Sequence, residues 1–245
     1  MTDWPAMAPE RVLPDGRCEL VLHCGEAFER VEENGTRTQP RDLFVGPSTR
    51  GIVIKSGTAI DLVAVRFHPG GAALLLAAPL SELRDLAPGC SELELRFGLD
   101  LFDALCERSA LERIALLQTI LLQKLERSRA DTQMLRLQRV IERARGNLRI
   151  ENLARHSGLS LRQLQRRFRE ATGVSPKTMC RLARLQSVLT LAREPSSTLG
   201  RVAARAGYSD QSHFTREFRE LAGVAPRVYF NASNQLNELF FSGID

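Results

Sequence analysis

At 245 residues, with a net charge of +5 and 26% charged side chains, the chain is long enough for two modest domains and too ordinary for a disordered or fibrous protein. Its most apolar stretch, Ala72 to Leu80, falls far short of the ~20 residues that cross a bilayer and ends around Pro79, which argues against a membrane span. The net charge hides a division: residues 136–230 hold 19 Arg or Lys against 7 acids, while residues 1–135 hold 15 against 20.

The start, Met1-Thr2-Asp3-Trp4-Pro5, has neither the basic residues nor the apolar run of a secretory signal, so a cytoplasmic protein is expected. Residues 11 to 68 read as short strands, Cys18 to Cys24, Asp42 to Val45, Gly51 to Lys55 and Ile60 to Phe67, separated by turn residues at Pro14-Asp15-Gly16, Glu33-Asn34-Gly35 and Ser56-Gly57. A small antiparallel sheet or barrel is expected. Pro69-Gly70-Gly71 ends the last strand, and Ala72 to Ala78 reads as a short buried helix. Five scattered cysteines, Cys18, Cys24, Cys90, Cys106 and Cys180, read as reduced, buried thiols. On one strand the Cys18 and Cys24 sulfurs lie about 20 Å apart, with His23 on the other face, so no shared metal site is expected there.

From Leu99 the period changes to that of a helix, with Leu111, Ile114, Leu117, Leu121 and Leu125 at three- and four-residue intervals. That stripe suits packing against the sheet, and part of it suits pairing with a second copy in a homodimer. Residues 127 to 135 are polar, which places the domain junction there and divides the chain into 1–130, 131–235 and a tail, 236–245.

The basic half contains a repeat. Leu153-Ala154, Gly158-Leu159-Ser160, Leu164, Phe168-Arg169-Glu170, Gly173-Val174 and Pro176 recur about 50 residues later as Val202-Ala203, Gly207-Tyr208-Ser209-Asp210, Phe214, Phe218-Arg219-Glu220, Gly223-Val224 and Pro226. Each copy fits a helix-turn-helix: two helices crossing at about 90 to 120° need a small residue at their contact, met by Ala154 and Ala203, and a glycine in the turn, met by Gly158 and Gly207. Ser160 with Gln163 three residues on forms a capping box, and Asp210 is the matching cap. Helices over about 161–171 and 211–222 follow. Leu164 with Phe168, and Phe214 with Phe218, face the core.

The opposite face of the first helix carries Arg162, Gln163, Gln165, Arg166 and Arg169. Arg can read guanine with two donors and Gln can read adenine through its amide, which makes this face suited to the major groove of double-stranded DNA. The second helix offers the milder set Gln211, Ser212, His213, Thr215, Arg216 and Arg219. Between the copies, Ser175-Pro176 starts a helix that runs to about Arg193 and would hold the two faces about one DNA turn apart.

The segment from about Gln138 to Phe230 resembles the DNA-binding domain of the AraC/XylS transcription regulators. The resemblance is most specific in Ala206-Gly207-Tyr208-Ser209-Asp210-Gln211-Ser212-His213-Phe214 with Phe218-Arg219 and Gly223-Val224-Ala225-Pro226. It implies an all-α domain of about seven helices with tandem helix-turn-helix units, an activator working beside RNA polymerase, and base reading by Arg162, Gln165, Arg166, Gln211, Ser212, Thr215 and Arg216. Pro14-Asp15-Gly16, Glu19-Leu20-Val21 and Val65-Arg66-Phe67-His68-Pro69-Gly70-Gly71 resemble N-terminal domains of uncharacterised regulators of that family, implying a β-rich sensory or dimerisation module open to a small-molecule effector. The whole then has an α+β fold.

Arg66 and His68 share a strand face with Leu62 and Ala64 and could line an anion-binding cavity, although pairing of Arg66 with an acid is the simpler reading. No metal-ligand or nucleophile-elbow spacing occurs, so neither an enzyme, a metal nor a cofactor is expected. A non-specific architectural DNA protein would use its cations on phosphates, which the Gln and Arg reading faces argue against.

Overall fold

The computed structural model describes residues 8–76, 79–93, 101–126, 131–194 and 197–232. Among the described residues seven strands come first: β1 (Glu10–Val12), β2 (Cys18–His23), β3 (Glu29–Glu32), β4 (Gly35–Thr38), β5 (Asp42–Val45), β6 (Ile52–Lys55) and β7 (Leu62–Phe67). They form two antiparallel sheets, of order β1-β6-β3-β4 and β5-β2-β7. β2, β5, β6 and β7 lie where the short apolar runs between turn residues predict them. β1 and the β3–β4 hairpin were not predicted: β4 reads Gly-Thr-Arg-Thr and is exposed throughout, so it carries no apolar pattern.

Cys18, Leu20 and Leu22 of β2, with Phe44 and Phe67, bury one face of the three-stranded sheet. Ala72, Leu75, Leu80 and Leu83 from single-turn helices cover that face, together with Leu105 and Leu117. The helix expected over Ala72 to Ala78 is a 3-10 turn, Gly71–Leu74, and Ala77 and Ala78 lie outside the described residues.

The long helix expected after Leu99 is two: α1 (Leu101–Cys106) and α2 (Ala110–Glu126), broken where Ser109 caps α2 through Glu112. The expected stripe is also split. Leu117 is buried and Leu121 packs on the sheet, while Leu111, Ile114 and Leu122 are 80%, 47% and 61% exposed. Arg113 takes the inward place instead, held by Asp61 and by the carbonyls of Leu105, Cys106 and Arg108. The side chain of Leu125 and residues 127–130 of the expected junction lie outside the described residues, as does the tail 236–245.

Five free thiols do not occur. Cys24, at the end of β2, and Cys106, the last residue of α1, form a disulfide with Cα atoms 5.1 Å apart. Their 82-residue separation hid the pairing from any spacing rule. Cys18, Cys90 and Cys180 are free and buried, and burial pushes the Cys90 and Cys180 thiols up to about 12 and about 11. Arg66 pairs with Asp15 and Glu19, and His68 is exposed.

Among the described residues seven helices follow: α3 (Thr132–Arg143), α4 (Ile150–Ser157), α5 (Leu161–Thr172), α6 (Pro176–Ala192), α7 (Leu199–Arg205), α8 (Gln211–Ala222) and α9 (Pro226–Asn231). They enclose two cores. The first joins Met134, Leu137 and Ile141 to Leu153, Leu164, Phe168 and Met179; the second joins Leu185, Val188 and Leu191 to Val202, Tyr208, Phe214, Phe218 and Tyr229. α6 contributes its first half to one core and its second half to the other. Ser175 caps it, accepting from the Thr178 amide, and Pro176 occupies its first turn. Among the described residues no helix is long and apolar enough to cross a membrane.

The two halves of the chain are docked. Leu13, just after β1, is 2% exposed within the second helical core. The Gly51 amide donates to the Leu221 carbonyl over 2.7 Å, and Gln186 Nε2 donates to the Pro14 carbonyl over 2.9 Å.

Candidate DNA interface

α4 ends on Gly158 with φ 71°, and the chain turns into α5 through Ser160. The Ser160 hydroxyl accepts from the Gln163 amide, and the Gln163 side chain accepts from the Ser160 amide over 2.9 Å, closing the expected capping box. In the second unit Gly207 has φ 89°, and Asp210 accepts from the His213 amide over 2.7 Å. That amide, with the Ser209 hydroxyl, holds the Asp210 carboxyl below the usual carboxylate range. The same turn-and-cap chemistry therefore aims both α5 and α8.

With Leu164 and Phe168 buried, Arg162, Gln163, Gln165, Arg166 and Arg169 all emerge on the exposed side of α5. At about 100° per residue, Arg162, Gln165, Arg166 and Arg169 share an arc of about 100°, and Gln163 lies about 60° beyond it. The carbonyl oxygen of Gln163 is taken by the cap, leaving its NH2 group free to donate. Arg167 points elsewhere. It pairs with Asp131, the cap of α3, and braces α5 from behind.

On α8, Gln211, Ser212, Thr215, Arg216 and Arg219 line one open depression together with Glu220. His213 is not in that group. Its Nδ1 lies 3.2 Å from Ser209 Oγ and its ring packs edge-on against Tyr208, so it supports the turn. α5 thus presents three arginines and two glutamines, whereas α8 presents two arginines and one glutamine among Ser212, Thr215 and the acid Glu220.

One arrangement was not anticipated. Glu217 of α8 is 7% exposed between Phe214 and Phe218 and is held by Arg181 and Arg184 of α6. An acid on the core-facing side of an amphipathic helix needs cationic partners, so Glu217 at that register was the legible signal, while its partners on α6 carry no local mark.

Residues 153–232 match a family described as a helix-turn-helix domain, and residues 1–87 match a domain of unknown function, DUF6597. The transcriptional activator RhaR of Pectobacterium atrosepticum is 36% identical over 81 residues, which cover 33% of this chain and 28% of that protein. The transcriptional regulator MtrA of Neisseria gonorrhoeae is 31% identical over 100 residues, covering 40% of this chain and 33% of MtrA. The matches thus span about a third or less of these curated relatives. In fold, ToxT from Vibrio cholerae aligns over 91% of this chain and 97% of its own, with a TM-score of 0.53 at 12% identity.

Proposed function

We propose that the chain, whose residues 153–232 match a helix-turn-helix domain, is a sequence-specific, DNA-binding transcription regulator of the AraC type, acting in the cytoplasm as an activator. α5 and α8 enter successive major grooves of double-stranded DNA. Arg162, Gln163, Gln165, Arg166 and Arg169 read bases from α5; Gln211, Ser212, Thr215 and Arg216 read from α8, with His213 at the edge of that face. The carrying observation is that two equivalently capped helices, each backed by its own buried core, expose Arg- and Gln-bearing faces. Residues 131–235 form the DNA-binding domain, 236–245 a tail, and RNA polymerase is the protein partner of the activator.

Residues 1–130 form the effector-binding and dimerisation domain. A small-molecule effector acting there can reach DNA binding because this half touches α8 through Leu13 and Gly51. Leu111, Ile114 and Leu122 form the exposed stripe that pairs with a second copy. The function is binding rather than catalysis.

Selection of binding sites from a randomised DNA duplex tests this reading. Two short blocks at constant separation should emerge, with stronger base preference in the block read by α5. Recovery of unenriched sequence would overturn it.

A further inference from the structure

Two separate cores joined by one helix do not by themselves hold two reading faces at a constant angle. Contacts around α6 do so here, and they converge on Arg184. Its Nε and Nη2 donate to Glu217 of α8 over 3.2 and 3.0 Å, while its Nη1 donates to the Gly146 carbonyl, in the loop between α3 and α4, over 3.4 Å. Its guanidinium stacks 5.5 Å from the Tyr208 ring centroid in the turn before α8. Beside it, Asn147 Nδ2 donates to the Ala206 carbonyl over 3.1 Å, which joins the α3–α4 loop of the first unit directly to the α7–α8 turn of the second. Arg181 adds a second cation to Glu217 over 3.0 Å.

We propose that Arg184, with Glu217 and Asn147, sets the base-pair spacing at which the two reading helices bind DNA. This rests on the DNA-reading function proposed above. Arg184 is a positioning residue: it lies behind the reading faces, and a planar fork with five donors can hold an acid, a carbonyl and a ring at once. One base pair added between the two binding blocks rotates the second by about 35° and shifts it by about 3.4 Å. A rigid pair of helices cannot follow that step and loses one block. A pair free to swivel follows it.

The test uses the full chain and the duplex recovered from randomised DNA, with versions carrying one base pair inserted or removed between the blocks. Wild type should bind the altered duplexes at least about tenfold more weakly. Arg184→Lys, which keeps the charge and loses the fork, and Asn147→Ala, which leaves both cores intact, should reduce that penalty to about threefold or less. Base preference inside each block should stay unchanged. A wild-type spacing penalty in folded variants overturns the proposal. If Arg184→Lys fails to fold, Asn147→Ala decides alone. A wild type that recovers no preferred sequence overturns the DNA-reading function itself, a result distinct from retained spacing.

Discussion

Arg11 of β1 donates from Nη1 to the carbonyl of Ala222, 3.0 Å away in the last turn of α8. The final carbonyls of a helix lack partners within it, and a guanidinium there both supplies a donor and opposes the negative end of the helix dipole. The Gly51 amide does the same at Leu221. A residue near the start of the chain thus finishes a helix that ends more than 200 residues later.

Leu13 extends that relationship into the core. Truncation to Ala removes a side chain packed among the Leu182, Phe218 and Tyr229 cluster and should cost about 2 to 5 kcal/mol. Hydrogen exchange should show the loss concentrated in α7 to α9 while α4 and α5 keep their protection. Uniform protection in the variant would place Leu13 outside the second core.

Replacing Arg166 by Ala should cost ~1 to 3 kcal/mol of binding and relax preference at one base pair, with unchanged melting, because the side chain is exposed. Phe168→Ala should instead cost ~3 to 5 kcal/mol of stability, since its ring is fully buried. Titrations and melts of the two variants separate reading from folding. Altered melting in the first or normal melting in the second would reverse the assignments.

Pairing through α2 predicts that Leu122→Glu, which places a charge in the exposed apolar stripe, converts a dimer to a monomer with little change in stability. Sedimentation equilibrium reads the outcome directly. A wild type that is monomeric at all concentrations would remove the dimer.

Glu19 gives a pH dependence. Burial, aided by Asp15 and opposed by Arg66, pushes its carboxyl up to about 7 from 4.5. A carboxyl raised in the fold contributes stability that is full below the unfolded value and is lost as pH rises through the folded one, so stability should fall between about pH 4.5 and 7 by up to roughly 3 kcal/mol. Glu19→Gln should flatten that fall in denaturation measured across pH. An unchanged slope would assign it to other groups.

The C-terminal half was legible because its signals are local. Ser160 with Gln163, Asp210, and the turn glycines Gly158 and Gly207 act within a few residues of themselves, and the 50-residue repeat displays each requirement twice. The N-terminal half was legible where strands are runs rich in Val, Leu and Phe between turn residues, as in β2 and β7, and silent where they are polar, as in β4. That Arg66 pairs with an acid followed from the cost of an unpaired charge, while the identity of its partners, Asp15 and Glu19, did not. Cys24 with Cys106, Leu13 in the second core and Arg184 at its junction depend on contacts between distant segments, for which no local pattern exists. Inward Arg113 and outward Leu111 show the same limit: helical period locates a stripe, while the neighbouring surface decides which part is covered.

Competition between the selected duplex and a scrambled duplex of equal length and composition tests sequence reading most directly. At physiological salt the scrambled duplex should compete at least about 1,000-fold more weakly, the lower bound for specific over non-specific binding. Equal competition, with affinity governed by salt alone, would make the basic half a phosphate-binding surface and rule out base reading by α5 and α8.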